Sequence, residues 1–192
     1  MIRIPLLLLA LAAALAGCAR DASAARCDLE SSRAVAFSSA EADDVVEARA
    51  LGAACGAAVA VYVVRSHEGV PIYAWAAPFH PTFGDSFAPR AEGALSRQEM
   101  QAFLDRWAAP ASAATGAAPA WRDAIVTPFD RETYEDIRAR NAPMLCFLSS
   151  VARETCVYWE SGVAAAGVLV ERDAPGAPAA EQQFLPGQKA RE

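Results

Sequence analysis

The longest apolar run of the chain lies near its start and limits how the rest can fold. Residues 4–14 are apolar throughout and follow a single early cation, Arg3. A membrane-spanning helix needs about 20 apolar residues, so this run has the length of the hydrophobic region of a signal peptide. No other stretch of the sequence is apolar for long enough to span a bilayer. The remaining chain is therefore expected to fold in water around its own core.

A short motif of small residues and a cysteine, Leu15-Ala16-Gly17-Cys18, follows this run directly. It resembles the lipobox of bacterial lipoproteins, and the resemblance covers residues 1–18 alone. In that family the chain is cut before the cysteine, whose sulfur takes a diacylglycerol and whose amine takes an acyl chain. Because each buried CH₂ contributes about 0.8 kcal/mol, three acyl chains hold a protein in the membrane without a spanning helix. The alternative is an ordinary signal peptide, with Cys18 incidental.

The residue after Cys18 is Ala19 rather than Asp. In Gram-negative lipoproteins this implies export to the outer membrane, so the resemblance predicts a lipid-anchored protein of the bacterial cell envelope that faces the periplasm. The small, polar residues after the cysteine are typical of a tether. The expected division is a signal peptide at residues 1–17, a lipidated tether at 18–26, a single globular domain at 27–173 and a disordered tail at 174–192.

The charge pattern limits the expected partners. The formal net charge is −6, and Lys189 is the single lysine among cations that are otherwise arginines. Without a basic patch the sequence predicts no nucleic-acid partner, and it predicts membrane contact through the acyl chains on Cys18. It contains no phosphate-binding glycine loop and no metalloprotease motif, so no cofactor is expected.

Four cysteines remain after Cys18: Cys27, Cys55, Cys146 and Cys156. In an exported chain they imply two disulfides, for which three pairings are possible. No pair is separated by two residues, so a thioredoxin-like redox role has no support. The spacing of the cysteines and of the two histidines also fits no usual zinc pattern, so no metal site is expected.

Strand register favours one of the three pairings. Cys146 and Cys156 fall on adjacent predicted strands around Val151. If Ser149 pairs with Arg153 across a three-residue loop, the two cysteines lie directly opposite each other. Directly opposed residues of an antiparallel pair can approach disulfide distances. The other two cysteines would then pair with each other.

Three helices are expected. The first begins at Ser38 with the capping box Ser38-Ser39-Ala40-Glu41 and stops at Gly56, with Val45, Ala48, Leu51 and Cys55 at helical spacing. The second follows the capping box Ser96-Arg97-Gln98-Glu99 and carries Met100, Phe103, Leu104 and Trp107 on one face. The third begins after Asp130, with Phe129 placed to contact Tyr134, and closes at Asn141.

Five apolar stretches predict strands, at residues 57–64, 70–75, 144–149, 155–160 and 167–171. Their hairpin-length connections predict an antiparallel sheet. The expected fold is therefore an α+β domain with an antiparallel sheet of about five strands and about three helices, stabilised by disulfides. The alanine-rich residues 108–120 are expected to form a loop.

Residues 77–94 are predicted to form a loop that contains several aromatic and ionisable side chains. Its candidate binding residues are Phe79, His80, Phe83, Asp85, Phe87 and Arg90. One interpretation is a binding loop with aromatic contacts. The favoured alternative is that the phenylalanines pin a long loop onto the domain, because long loops in compact domains need such anchors.

No catalytic motif appears, so the sequence assigns no catalytic residue. The favoured hypothesis is a non-catalytic envelope lipoprotein that binds a protein, a glycan or a small ligand, or that supports an assembly. The alternative is an envelope hydrolase that uses His80 and the carboxylates of residues 77–94. Adjacency in sequence does not by itself bring a nucleophile, a base and an orienting group together.

Overall fold

A computed structural model describes residues 26–84, 95–122 and 125–175. These residues form two four-stranded antiparallel sheets, each with its strands in chain order. The first sheet contains β1 (Cys27–Val35), β2 (Asp44–Gly52), β3 (Val59–Arg65) and β4 (Pro71–Pro78). The second contains β5 (Ala111–Ala114), β6 (Pro143–Leu148), β7 (Arg153–Glu160) and β8 (Ala165–Asp173).

The described residues also form three α-helices, α1 (Phe79–Phe83), α2 (Arg97–Trp107) and α3 (Arg131–Ala139). Short 3₁₀ turns occur at Cys55–Ala57 and Thr115–Ala117. The predicted α+β class and the antiparallel pairing are confirmed. The prediction of a single five-stranded sheet is wrong, because the strands divide between two sheets.

Local sequence signals predicted α2 and α3 correctly. Ser96 accepts a hydrogen bond from the Glu99 amide, and the Glu99 side chain returns to the Ser96 amide, which completes the capping box. At α3 the Asp130 side chain accepts from the amide of Thr133 at 2.8 Å. Asn141 follows α3 with φ of 55°, the left-handed conformation that commonly ends a helix.

The predicted helix over residues 38–55 is wrong, because half of this segment is strand β2. Val46, Ala48 and Ala50 are fully buried, and the residues between them are more exposed. This alternation has the period of two that a strand requires. The helical interpretation relied on Val45 and Leu51, which lie on the more exposed face of β2.

Asp44 explains why Ser38 does not cap a helix. The Ser38 hydroxyl donates to the Asp44 carboxylate at 2.8 Å, and the Ser38 amide donates to it as well. The amide of His67, in the turn between β3 and β4, donates to the same carboxylate at 3.0 Å. Asp44 is fully buried, and these three donors compensate its burial. The carboxylate therefore joins the start of β2 to the neighbouring hairpin.

Strands β1 and β5 were not predicted, and both lie at the edge of a sheet. Most residues of β1 are polar or exposed, and β5 consists of alanine and serine. Neither strand contains the alternating large apolar residues that predict a half-buried strand. The predicted loop at residues 108–120 is therefore partly wrong, because it contains β5 and a 3₁₀ turn.

The main core lies between the two sheets and α2. Tyr62 of β3 stacks on Phe147 of β6, with ring centroids 4.2 Å apart. Trp107 of α2 packs against Tyr62 at 5.2 Å and against Trp75 of β4 at 5.7 Å. All of these residues belong to one apolar cluster or pack against it. The aromatic side chains therefore connect both sheets to the helix.

A second core covers the opposite face of the second sheet. Tyr134 and Ile137 of α3 pack over Met144 and over the disulfide between Cys146 and Cys156. Both predicted pairings are present, since Cys27 bonds to Cys55. The predicted register is confirmed too: the two cysteines of the second sheet lie opposite each other, and the amide of Ser149 donates to the Arg153 carbonyl at 3.0 Å.

We expect loss of the Cys27–Cys55 bridge to destabilise the fold strongly. It closes a chain segment with a sequence separation of 28, for which loop entropy corresponds to about 3.5 kcal/mol. Replacing both cysteines by alanine should lower the free energy of unfolding, measured by guanidinium denaturation, by about that amount. Dithiothreitol should still destabilise this variant through the second bridge. An unchanged denaturation midpoint would contradict the expectation.

The four tyrosines make stability sensitive to alkaline pH. Burial is the main cause that raises the pKa of each phenol above the ordinary 10. The pKa of Tyr73 rises to about 12, with the Glu171 carboxylate as the second cause. Above about pH 10 the unfolded chain releases phenol protons that the folded chain retains. The stability from these groups is therefore fully present below that pH and is lost as the pH rises toward 12.

Denaturation with guanidinium at a series of pH values measures this loss directly. Lysine titration interferes little, because Lys189 is the single lysine. Phenolate absorbance should rise together with unfolding rather than before it. A rise in phenolate absorbance near pH 10 with native circular dichroism would show that the phenols are not protected by burial.

Candidate functional site

A cleft of about 440 Å³ lies beside β6 at the first residue of β5. Ala111, the first residue of β5, pairs with Cys146. The next residues of β6, Phe147 and Leu148, pair with β7 but with no described strand on the other side. The chain between α2 and β5 turns away here, and its small residues form one side of the cleft. The cleft therefore occupies the space that a longer β5 would have filled.

Three aromatic side chains form the apolar wall of the cleft: Phe103 and Trp107 of α2, and Phe147 of β6. Phe103 and Trp107 are one helical turn apart, with ring centroids at 5.4 Å. The Trp107 indole Nε1 donates to the Leu148 carbonyl at 2.8 Å. This bond satisfies the Leu148 carbonyl, which has no β5 residue opposite it, and it fixes the orientation of the indole ring. All three rings are at least nine-tenths buried, so the wall belongs to the main core.

Two charged residues line the cleft, and their environments differ. Glu154 lies opposite Leu148, its side chain is 7% exposed, and its Oε2 accepts from Arg172 Nε at 2.6 Å. Arg106 is exposed at the end of α2, and within residues 26–84, 95–122 and 125–175 no carboxylate forms an ion pair with it. The charge of Glu154 is thus compensated by Arg172, whereas Arg106 is exposed and forms no ion pair with a described residue.

The sulfur atoms of Cys146 and Cys156 lie within 4.8 Å of a Glu154 carboxylate oxygen. Such a group could suggest a metal site. Both sulfurs are used in the disulfide, however, and metal ligation by cysteine requires a thiolate. The oxidised protein therefore does not offer a thiolate site here.

The predicted loop at residues 77–94 is partly wrong, because β4 extends to Pro78 and Phe79–Phe83 form α1. The described candidate residues lie in two different environments. Phe79 and Phe83 are 2% and 1% exposed and pack against Phe103, with ring centroids at 5.2 and 5.0 Å. Their rings thus anchor α1 to the core and are not presented to a ligand. His80 lies on the same helix and is exposed. The other members of the predicted set, Asp85, Phe87 and Arg90, lie outside the described residues.

The described part of the chain brings no catalytic partner to His80. No side chain within residues 26–84, 95–122 and 125–175 forms a hydrogen bond or an ion pair with its imidazole. His67 lies in the β3–β4 turn, where its amide contributes to the Asp44 network. The proposed His80–Asp85 pair remains a prediction, because Asp85 is not described. Cys18, the predicted lipidation site, also lies outside the described residues.

Sequence reasoning missed the cleft although it predicted part of its wall. The apolar face of α2 was correctly predicted to be core. That prediction did not include the contribution of Phe103 and Trp107 to the cleft wall. One signal could have found the site: Trp107 ends an amphipathic helix and is followed by Ala108, Ala109, Pro110 and Ala111. Such small residues leave space beside a large aromatic ring. Arg106 and Glu154 could not be brought together from sequence, because they meet through the packing of α2 against β6 and the pairing of β6 with β7.

Comparison of the chain with known protein families, with curated proteins and with solved structures finds no match. In the described part of the chain, the longest helix has 11 residues, and no helix has the length and apolarity needed to cross a bilayer.

Proposed function

We propose that this chain is a bacterial envelope lipoprotein whose domain is a non-catalytic binding module. Acyl chains on Cys18 would anchor it to the outer membrane, and the domain would face the periplasm. The lipobox-like residues 15–18 support the anchor. The two disulfides agree with an oxidising compartment, where such bonds persist.

The observation that carries the binding proposal is the cleft beside β5. It combines a buried aromatic wall with an exposed cation, Arg106, that forms no ion pair with the described residues. Ligand sites in proteins are typically concave and mostly apolar, with a few polar groups that orient the ligand. The volume of about 440 Å³ suits a side chain or a small ligand rather than a second domain. The proposed partner is therefore an envelope component with an apolar group that enters the cleft.

The anchor is tested by replacing its attachment residue. Wild-type protein should incorporate labelled palmitate and sediment with membranes. Cys18→Ala should remove the label and either release the protein or leave it unprocessed, because three acyl chains supply the membrane affinity. Wild-type protein that takes up no palmitate would show that the lipoprotein proposal is wrong.

The cleft is tested by filling it from the outside. Ala109 is exposed and lines the cleft, so Ala109→Trp should occupy the space without disturbing the core. Ala102 is exposed on α2 away from the cleft, and Ala102→Trp is the matched control. Both variants should unfold within about 0.5 kcal/mol of wild type, as surface substitutions usually do.

The readout is a pull-down from envelope extract with the acyl anchor intact, followed by quantitative mass spectrometry. Wild type and Ala102→Trp should recover the same partners. Ala109→Trp should recover them at least about tenfold less, since a filled cleft removes the apolar contact. Equal recovery by both tryptophan variants would refute a binding role for this cleft.

A further inference from the structure

The cleft adjoins an open sheet edge. β5 is the first strand of the order β5-β6-β7-β8, and its only strand partner among the described residues is β6. Three of its four residues are exposed and the fourth is half-buried. In an antiparallel strand, alternate residues direct their N–H and C=O groups away from the paired neighbour. The free edge of β5 thus presents backbone donors and acceptors to an incoming chain.

β5 lacks most of the features that block strand addition. Proteins commonly protect edge strands with lysine, proline, inward-pointing charge, a bulge or a cover, or by keeping the strand very short. Of these, β5 has within the described residues only its length of four residues and Pro110 before it. The strand sequence is Ala111-Ser112-Ala113-Ala114, and its register with β6 is regular. Pro110 precedes the strand rather than interrupting it. Small side chains also leave both faces of the edge accessible.

The edge and the cleft are continuous. Ala111 is both the first residue of β5 and part of the cleft lining. A strand rises about 3.4 Å per residue, so a peptide paired along β5 covers about 14 Å and then reaches the cleft. There the cleft separates it from Phe147 and Leu148, which have no described strand partner on that side. A side chain of the peptide can enter the cleft at that point.

The positive charge of Arg106 at the cleft indicates which group lies next to the apolar side chain of the peptide. Arg106 has no ion-pair partner within the described residues, whereas Glu154 is paired with Arg172. A guanidinium binds carboxylates with two parallel hydrogen bonds and favours them over neutral groups. The complementary peptide therefore carries a carboxylate next to its apolar anchor.

We infer that β5 and the cleft bind an extended peptide segment of a partner protein, which adds as a strand to the β5 edge. One aromatic or branched apolar side chain of the segment fills the cleft, and an adjacent carboxylate pairs with Arg106. Backbone pairing supplies affinity and the cleft supplies specificity, as in other cases of strand addition. The inference rests on the proposed function, because it takes this cleft as the binding site.

The test begins with a phage-displayed library of random peptides, each about nine residues long and so able to span β5 and the cleft. The target is the chain from Ala19 to Glu192, which keeps every described element and both disulfides. Enriched peptides should share an apolar anchor beside an aspartate or glutamate. N-methylation of the synthetic peptide at alternate residues should weaken binding about tenfold or more, and methylation at the intervening residues should not.

Protein variants test the same geometry from the other side. Adjacent residues Ser112 and Ala113 direct their amides to opposite sides of β5. One of the variants Ser112→Pro and Ala113→Pro should therefore keep native stability and lose peptide binding, because it removes an outward donor alone. Arg106→Gln should weaken the acidic peptide about tenfold and leave its amide analogue unaffected. Arg122→Gln, an exposed arginine away from the cleft, is the control.

Two outcomes would overturn the inference and leave the proposed function standing. In the first, enriched peptides depend on an open cleft but tolerate N-methylation at every position, which excludes strand addition. In the second, no peptide is enriched, or a glycan fragment binds instead, while Ala109→Trp still reduces partner recovery in the envelope pull-down. Equal recovery by Ala109→Trp and Ala102→Trp would refute the proposed function itself.

Discussion

The stacking of Tyr62 on Phe147 is the contact on which the rest of the structure depends. It joins the first sheet to the second at a ring separation of 4.2 Å, and Trp107 closes the arrangement from α2. Phe147 and Trp107 also form the cleft wall. Because protein interiors are close-packed, these rings cannot shift independently. The shape of the candidate site is therefore set by the same contacts that hold the two sheets together.

Alanine makes this close approach possible. Ala48, Ala50 and Ala60 are fully buried on the inner face of the first sheet, where larger side chains would push α2 and the second sheet away. Small side chains bury little apolar area each, so the aromatic cluster and two disulfides supply much of the stabilisation. The alanine-rich composition thus explains both the compact core and the need for covalent support.

The predictable parts of the fold are those specified by local chemistry. Capping residues marked α2 and α3, apolar runs marked five strands, and strand register predicted the Cys146–Cys156 bridge. The errors arose in β2, where Val45 and Leu51 at helical spacing lie on the more exposed strand face, and in β5, which is alanine and serine alone. A further error arose where Asp44 competes with a helix cap through long-range hydrogen bonds. Of the cleft, only the space left by the small residues after Trp107 was open to prediction, because its walls meet through strand pairing and the packing of α2 on the sheets.

The Cys146–Cys156 bridge has a consequence beyond stability. Cys146 lies opposite Cys156 on one side and opposite Ala111 on the other, so the covalent bond marks one fixed row across three strands. A slip of one residue would turn every side chain of a strand to the other face, and the bond prevents that slip between β6 and β7. The cleft begins at this row, since Ala111 and Cys146 line it. The bond therefore locks β6 and β7 in one alignment, which determines which of their side chains face the cleft.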